Sequence, residues 1–430
     1  MPGWQMNVNV NVNVHAATQQ NIKCETRTRG TGVGGMMLQR DFRIAATLTA
    51  AVAIVVANHF VLRRRRRLTV IAGRKLAPHE ITIGAIWIGP GGGPFGDGNR
   101  TDSGHANAVA TVRAALEAGV REFDTAPWYG SGASEERLGR ALLELQHEGF
   151  LPRVVTKVGR LVRSIDGTPP AIPFDAFGAP PLDHRRFVNN YSAAGARTSY
   201  LESVARLGLG TQLHGLRVHD PNDNSTNKRG APGGWYDEVA VVLGPTGCLA
   251  ELRQMRSDGL IVQVSLGMNC NMEAHQGAPA EVLRLLRGAP EGTFDAALLA
   301  GGWNLLTHSG MPCFVECERR GIQVHVAGVF ASGLLVGGSS YAYQQAPDEK
   351  RELAARWRAL AAEYGISLPA VAIAFAAMPK CVTRVVLGVA SPEQVHQNVA
   401  WVQESRSVPP QLWRDAQRRG LLAPEVPVPP

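Results

Sequence analysis

Eight strand-like runs, each followed by a helical stretch, predict an α/β chain that closes as a (β/α)8 TIM barrel over residues 76–430. Two further observations support that class. The composition, 45% hydrophobic and 19% charged, supplies ample core material and excludes a disordered or collagen-like chain. No Gly-x-Gly-x-x-Gly opens the first crossover, so an open doubly wound sheet is the weaker alternative.

The elements follow in order. A first strand near residues 82–88 precedes a helix near 105–118. VREFDTA (120–126) precedes a helix near 134–146, and RVVTKV (153–158) one near 197–207. LHGLRVH (213–219) leads to a helix near 248–257, and IVQVSLGM (261–268) to one near 279–287. FDAALLA (294–300), IQVHVAG (322–328) and TRVVLGV (383–389) complete the series, with helices near 311–319, 350–363 and 392–400. Alternation of this kind implies parallel strands joined by helical crossovers. The Pro- and Gly-rich stretch from Arg163 to Arg186 interrupts the third unit, and a surface loop at the mouth of the barrel is expected there.

Residues 1–75 stand apart as a leader. Twelve basic residues face two acidic ones there, a net of +10, whereas residues 76–430 hold 32 against 34, a net of −2. The body is therefore nearly neutral and implies no nucleic-acid partner. Residues 44–62 contain no Lys, Arg, Asp or Glu, and five arginines follow them. A run of that length can span a hydrocarbon core, with the arginines holding its C-terminal side on the cytoplasmic face. Three readings fit: a single-pass anchor giving membrane association of a cytoplasmic barrel, an organellar transit peptide, or an extraneous or disordered leader. The six scattered cysteines fit free thiols in a reducing compartment better than a disulfide framework. No metal site is expected, since Cys313 and Cys317 have no nearby histidine to complete a set.

Barrel enzymes carry their chemistry at the C-terminal ends of the strands. Asp124 closes the second strand, Lys157 the third and His219 the fourth; Tyr129 follows in the loop PWYGSG, and Asn269 ends the fifth. A phenol titrates at about pH 10, and a neighbouring ammonium lowers that value. Lys157 is accordingly expected to bring Tyr129 into working range, with Asp124 holding Lys157 and His219 orienting a substrate oxygen. Such a set suits carbonyl–alcohol interconversion.

These residues, carried by FDTAPWYGSG (123–132), TKVGR (156–160) and VHDPND (218–223), resemble the Asp–Tyr–Lys–His tetrad of the aldo-keto reductase superfamily. The words SLGMN, LLAGGWNLL, GVFASGLL and LGVASPEQV resemble its sugar-oxidising branch, which includes D-threo-aldose 1-dehydrogenase, L-galactose and L-fucose dehydrogenases and pyridoxal dehydrogenase. The resemblance covers roughly residues 82–420 and leaves the leader outside.

The resemblance implies that Asp124, Tyr129, Lys157 and His219 form the catalytic tetrad, with Tyr129 the general acid/base. Asn269 would bind the nicotinamide carboxamide, and the ring would stack on Trp303. Ser332 and Gly333 would contact the pyrophosphate, and Gly388 and Ser391 the adenosine phosphate region. Gln394 and Asn398, one helical turn apart, would face the adenine. Apart from the resemblance, Trp128 near the mouth is an aromatic that suits a flat substrate ring by stacking. Two positions depart from the branch: Gly302-Trp303 stands where Arg-Tyr is common, and Ala300 where a Gln is usual. The loop GPGGGPFGDG after the first strand is also longer and richer in glycine than expected.

Cofactor choice follows from charge. Residues 387–398 contain no Lys or Arg, and Gln394 occupies the usual Arg position. Without a cation a 2′-phosphate loses its charge-assisted hydrogen bonds, so NAD is expected over NADP. The expected activity is oxidation of an aldose at C1 to the aldonolactone. Alternatives are reduction or oxidation of pyridoxal or another aldehyde, and a nucleotide-sensing regulatory subunit at a membrane. The sequence leaves the sugar and the oligomeric state open.

Overall fold

The computed structural model describes residues 68–71, 74–87, 102–164, 185–210, 213–221, 237–273 and 278–429. The chain divides into two units, residues 1–66 and 67–430. The first lies wholly outside the described residues, and with it the expectations for residues 44–62. In the second, Leu68 and Leu76 are buried in the core. Ile71 N–H donates to the Met378 carbonyl at 2.9 Å, and Lys380 N–H to the Thr69 carbonyl at 2.8 Å. The packing of this unit thus starts upstream of residue 76.

The strands in chain order are Ile81–Gly84 (β1), Glu122–Asp124 (β2), Arg153–Val158 (β3), Arg160–Ser164 (β4), Arg185–Asn189 (β5), Leu213–His219 (β6) and Ile261–Asn269 (β7). Ala296–Ala300 (β8), Gln323–Ala327 (β9), Ser340–Tyr341 (β10), Gln344–Gln345 (β11) and Val382–Gly388 (β12) follow. Eight of them close a barrel in the order β1-β12-β9-β8-β7-β6-β3-β2, with every neighbouring pair parallel. The expected (β/α)8 barrel is present. Ahead of the expected strand end, the chain turns at Ala85–Trp87 after β1; the glycine-rich loop 89–98 lies outside the described residues.

Helices follow each barrel strand: Asp102–Glu117 (α1), Ala133–Glu144 (α2), Ala193–Leu207 (α3), Glu238–Leu243 (α4), Cys248–Ser257 (α5) and Ala278–Gly288 (α6). Met311–Arg320 (α7), Asp348–Glu363 (α8), Leu368–Ala376 (α9), Pro392–Ser405 (α10) and Pro410–Arg418 (α11) complete the outer layer. Three of these were not anticipated. The segment α9 reads LPAVAIAFA and is apolar all round, so it carries no helical periodicity to detect. The short α4 and α11 lie outside the regular strand–helix alternation. Among the described residues no single helix is long and apolar enough to cross a membrane.

Two insertions decorate the barrel. The strands β4 and β5 pair antiparallel, with Arg160 opposite Asn189 and Ser164 opposite Arg185. The flanks of the predicted mouth loop are therefore a hairpin, while residues 165–184 lie outside the described residues. The second insertion, β10 and β11, is a small antiparallel ribbon between β9 and α8.

The barrel interior is polar where it meets the site. Residues two apart on a strand share a face, so Arg217 and His219 point the same way from β6. Arg217 is fully buried and registers with Lys157 on β3 and Ser265 on β7. Gly267 makes room for both long side chains: a Cβ there would stand 3.1 Å from Lys157 Cε and 3.2 Å from Arg217 Cδ.

Candidate active site

The C-terminal ends of β2, β3 and β6 bring Asp124, Lys157 and His219 together, and the loop after β2 adds Tyr129. Asp124, Lys157 and His219 are 2%, 1% and 4% exposed. The Lys157 ammonium makes an ion pair with Asp124 and donates to the Thr125 carbonyl at 2.8 Å. It also lies over the Tyr129 ring, 4.5 Å from the centroid. The rings of Tyr129 and His219 meet edge to face, their centroids 6.0 Å apart and their planes at 89°.

The electrostatics correct one expectation. Burial, followed by the Asp124 and Asp220 carboxylates, pushes the Tyr129 phenol well above its ordinary pKa. The Lys157 charge, paired with Asp124, does not bring the phenol down into working range. Lys157 itself is pulled below its ordinary value by burial, against the upward pull of Asp124. His219 lies well below its ordinary value because burial and the nearby Arg160 and Lys157 cations oppose a third positive charge. At neutral pH the site therefore presents a protonated phenol beside a neutral imidazole. His219 Nδ1 is buried without a hydrogen-bond partner among the described residues. A neutral phenol and imidazole, with a buried ammonium behind them, can protonate and orient a carbonyl oxygen, and in reverse the phenolate can accept an alcohol proton.

Trp128 lies at the mouth as expected, half-buried, with the Arg160 guanidinium 4.4 Å from its centroid and His219 at 5.8 Å. Tyr191 supports the β6 end by donating its hydroxyl to the His219 carbonyl at 2.6 Å.

A pocket adjoins this cluster at the ends of β7, β8 and β9. It is lined by Asn269, Gly301, Asn304, Gly328, Ser332 and Tyr343, among others. Asp220 accepts the Asn269 backbone N–H at 2.8 Å and its side-chain Nδ2 at 3.1 Å. With those two donors committed to Asp220, the side-chain Oδ1 is the acceptor that Asn269 has left for a ligand. Six described non-glycine residues have left-handed φ: Ser131, Asp220, Ala331, Ser332, Ala342 and Tyr343. All six lie on loops at this end of the barrel, and such strain concentrates at functional sites. Gly333, at φ 98°, faces space with nothing within 4 Å of where a Cβ would stand. The Asn269 amide and the open backbone at Gly333 are the kinds of group that would hold the carboxamide and pyrophosphate of a nicotinamide dinucleotide.

Other expected contacts stand differently. Trp303 is fully buried, stacked on Phe375 with centroids 4.8 Å apart and packed on Phe314. It belongs to the layer beneath α7 and α9, so it cannot stack on a nicotinamide. Its preceding Gly302 is dictated by packing, because a Cβ would fall 2.3 Å from the Cys270 carbonyl oxygen. At the last strand, Gly388 is exposed and Ser391 caps α10, its Oγ accepting the Gln394 N–H at 3.4 Å. The Gln394 side-chain oxygen accepts from Ala390 N–H at 2.8 Å, and the buried Asn398 donates to the Gly388 carbonyl at 3.5 Å. These two side chains thus turn toward their own loop rather than outward.

The aldo/keto reductase family model matches residues 87–407. The chain belongs to that family. Its members are oxidoreductases that use a nicotinamide dinucleotide. This aldo/keto reductase is 31% identical over 364 residues to pyridoxal 4-dehydrogenase of Microbacterium luteolum, covering 81% of this chain and 98% of the relative. It is 29% identical to D-threo-aldose 1-dehydrogenase of a Pseudomonas species, covering 73% and 88%. It is 26% identical to L-galactose dehydrogenase of Arabidopsis thaliana, covering 79% and 91%. A glycerol dehydrogenase from Gluconobacter oxydans shares the fold with a TM-score of 0.52 at 21% identity, covering 84% of this chain and 97% of its own.

Sequence reasoning passed over Arg160, Arg217, Asp220 and Tyr343. A signal for two of them was visible: Arg217 is a charge two residues before His219 on one strand, and Asp220 directly follows it. Tyr343 reaches the pocket only through the β10–β11 ribbon, which no local pattern announces.

Proposed function

We propose that this aldo/keto reductase oxidises an aldose hemiacetal at C1 to the aldonolactone, with NAD as acceptor and Tyr129 as general acid/base. The observation that carries the reading is the buried Asp124–Lys157 pair under the Tyr129 ring, with neutral His219 edge-on to the same ring. Two sugar-dehydrogenase relatives support the substrate class. A bound oxidised nicotinamide would supply the hydride acceptor and a positive ring charge.

The residues of the chain do the rest. Tyr129 Oη takes the anomeric hydroxyl proton as the C1 hydride departs, and His219 donates a hydrogen bond to the same oxygen. Lys157 keeps its charge beside the phenol because Asp124 holds it there. Asn269 would hold the carboxamide, and the backbone at Ser332 and Gly333 the pyrophosphate. Ser391 and the N-terminal turn of α10 would serve the adenosine phosphate, where free N–H groups and the helix dipole favour an anion. That turn contains Glu393 and no basic residue but His396, which supports NAD over a phosphorylated cofactor.

A second reading, conversion of pyridoxal by the same tetrad, is favoured by the Trp128 ring at the mouth, which suits a flat heterocycle. L-Galactose, L-fucose, D-arabinose and pyridoxal, each offered with NAD, separate the two by NADH formation. Turnover with pyridoxal alone selects the second reading. Tight nucleotide binding without turnover on any of them selects the regulatory-subunit alternative instead.

A further inference from the structure

We propose that Arg217 is a positioning residue for the proton relay: it shares the Asp124 carboxylate with Lys157 and fixes a permanent cation beside the pair. This rests on the reading of Tyr129 as the acid/base.

The two oxygens of Asp124 are divided. One takes the Lys157 ammonium, and the other accepts from Arg217 Nε at 2.8 Å. Arg217 in turn is held on three sides inside the barrel. Its NH1 donates to Ser265 Oγ at 3.1 Å, its NH2 to His325 Nδ1 at 2.9 Å, and Glu122 Oε1 lies 3.9 Å away. Because His325 Nδ1 accepts, the proton of its neutral ring sits on Nε2. His325 is kept neutral by burial and by the Arg217 and Arg384 cations. Glu122 is secured independently by Thr82 Oγ1 at 2.9 Å and by Arg384 Nε at 3.1 Å.

A guanidinium cannot be deprotonated in a protein, and burying it costs several kcal/mol unless it is fully paired. An apolar residue of similar volume would fill this part of a barrel at less cost. What the arginine adds is charge at a fixed place. A carboxylate shared between two cations neutralises each less completely than it would one alone. The charged and titratable groups facing this region are Glu122 and Asp124 on β2, Lys157 on β3 and Arg160 on β4. His214, Arg217 and His219 on β6, Asp220 beyond it, His325 on β9, Arg384 on β12 and the Tyr343 phenol complete the set. Within that set the Arg217 charge pulls both the Tyr129 phenol and the Lys157 ammonium downward, against the upward pull of Asp124 and Asp220 on the phenol.

The sign of the effect is definite. Oxidation needs the phenolate, which forms above the phenol pKa, so removing the cation moves the rising limb of the oxidation profile to higher pH. The test is the pH–rate profile of sugar oxidation by the full chain and its Arg217→Met, Arg217→Gln and Arg217→Lys variants. Beside it, the Tyr129 phenolate is titrated spectrophotometrically without substrate, as a difference from Tyr129→Phe. The neutral variants should move the limb and the phenolate titration up by about one unit, lowering the rate about tenfold at any pH below the limb. Arg217→Lys, which keeps the charge, should restore both to near the parent value. Should Arg217→Met fail to fold, the Gln variant, which keeps a hydrogen-bonding group in the same space, carries the comparison. A rate loss uniform across pH with the titration unmoved, or a Lys variant that behaves like Gln, overturns the proposal. Full activity of Tyr129→Phe would instead overturn the underlying reading of Tyr129.

Discussion

Lys157 lies 4.5 Å from the centre of the Tyr129 ring while its ammonium is paired with Asp124 and hydrogen-bonded to the Thr125 carbonyl. The cation thus sits beside the phenol with part of its charge already answered. Burial then dominates the phenol, and its pKa rises.

That rise sets a direction for the pH dependence. Oxidation draws on the phenolate and should climb steadily toward alkaline pH. Reduction of the corresponding carbonyl draws on the protonated phenol and should hold its rate through neutrality. His219, far below its ordinary pKa, should contribute no limb between pH 6 and 8. Initial rates in both directions check this; an oxidation optimum at mildly acidic pH would contradict it.

Substitution Tyr129→Phe removes one hydroxyl from a half-buried ring and leaves the Lys157–Asp124 pair in place. Turnover should fall about a thousandfold, within the range for loss of a positioned acid/base. Nucleotide affinity, measured by quenching of tryptophan fluorescence, should change less than about threefold, since the Tyr129 hydroxyl is not among the groups lining the Asn269–Ser332 pocket.

Asp220 holds Asn269 by two hydrogen bonds from a backbone at φ 39°. Asp220→Ala should free the Asn269 amide and weaken nucleotide binding about tenfold, equivalent to one or two lost hydrogen bonds at ~1 kcal/mol each. It also removes one of the two carboxylates that raise the Tyr129 pKa, so the alkaline limb should shift downward. Calorimetric binding and the pH profile report the two effects separately.

Trp303 separates packing from cofactor contact. Trp303→Ala should destabilise the fold by about 3–5 kcal/mol through the cavity it leaves. Nucleotide affinity at a temperature where the variant is folded should match the parent. A loss of affinity with unchanged Tm would restore Trp303 to the site.

The loop after β12 offers a gain-of-function test. Gln394→Arg places a guanidinium in the first turn of α10, where a 2′-phosphate would gain a charge-assisted hydrogen bond of about 1.5–3 kcal/mol. The ratio of kcat/KM for NADP over NAD should rise at least about tenfold. A parent chain that already prefers NADP would overturn the reading of this loop.

The order of strands and helices, and hence the barrel, was readable from the chain because apolar periodicity is a local property. So was the placement of Asp124, Lys157 and His219, since each ends a strand and parallel strands deliver their C-terminal ends to one face. Local pattern failed where a residue's role depends on what packs against it from far along the chain. Trp303 reads as a ring available for stacking, yet Phe375, 72 residues further along the chain, stacks on it and Phe314 packs beside it. Arg217 reads as one charge in a strand, yet its partners come from three other strands. The Tyr129 pKa belongs to the same class: the charges near it can be named from sequence, but desolvation is fixed only when the barrel closes around them.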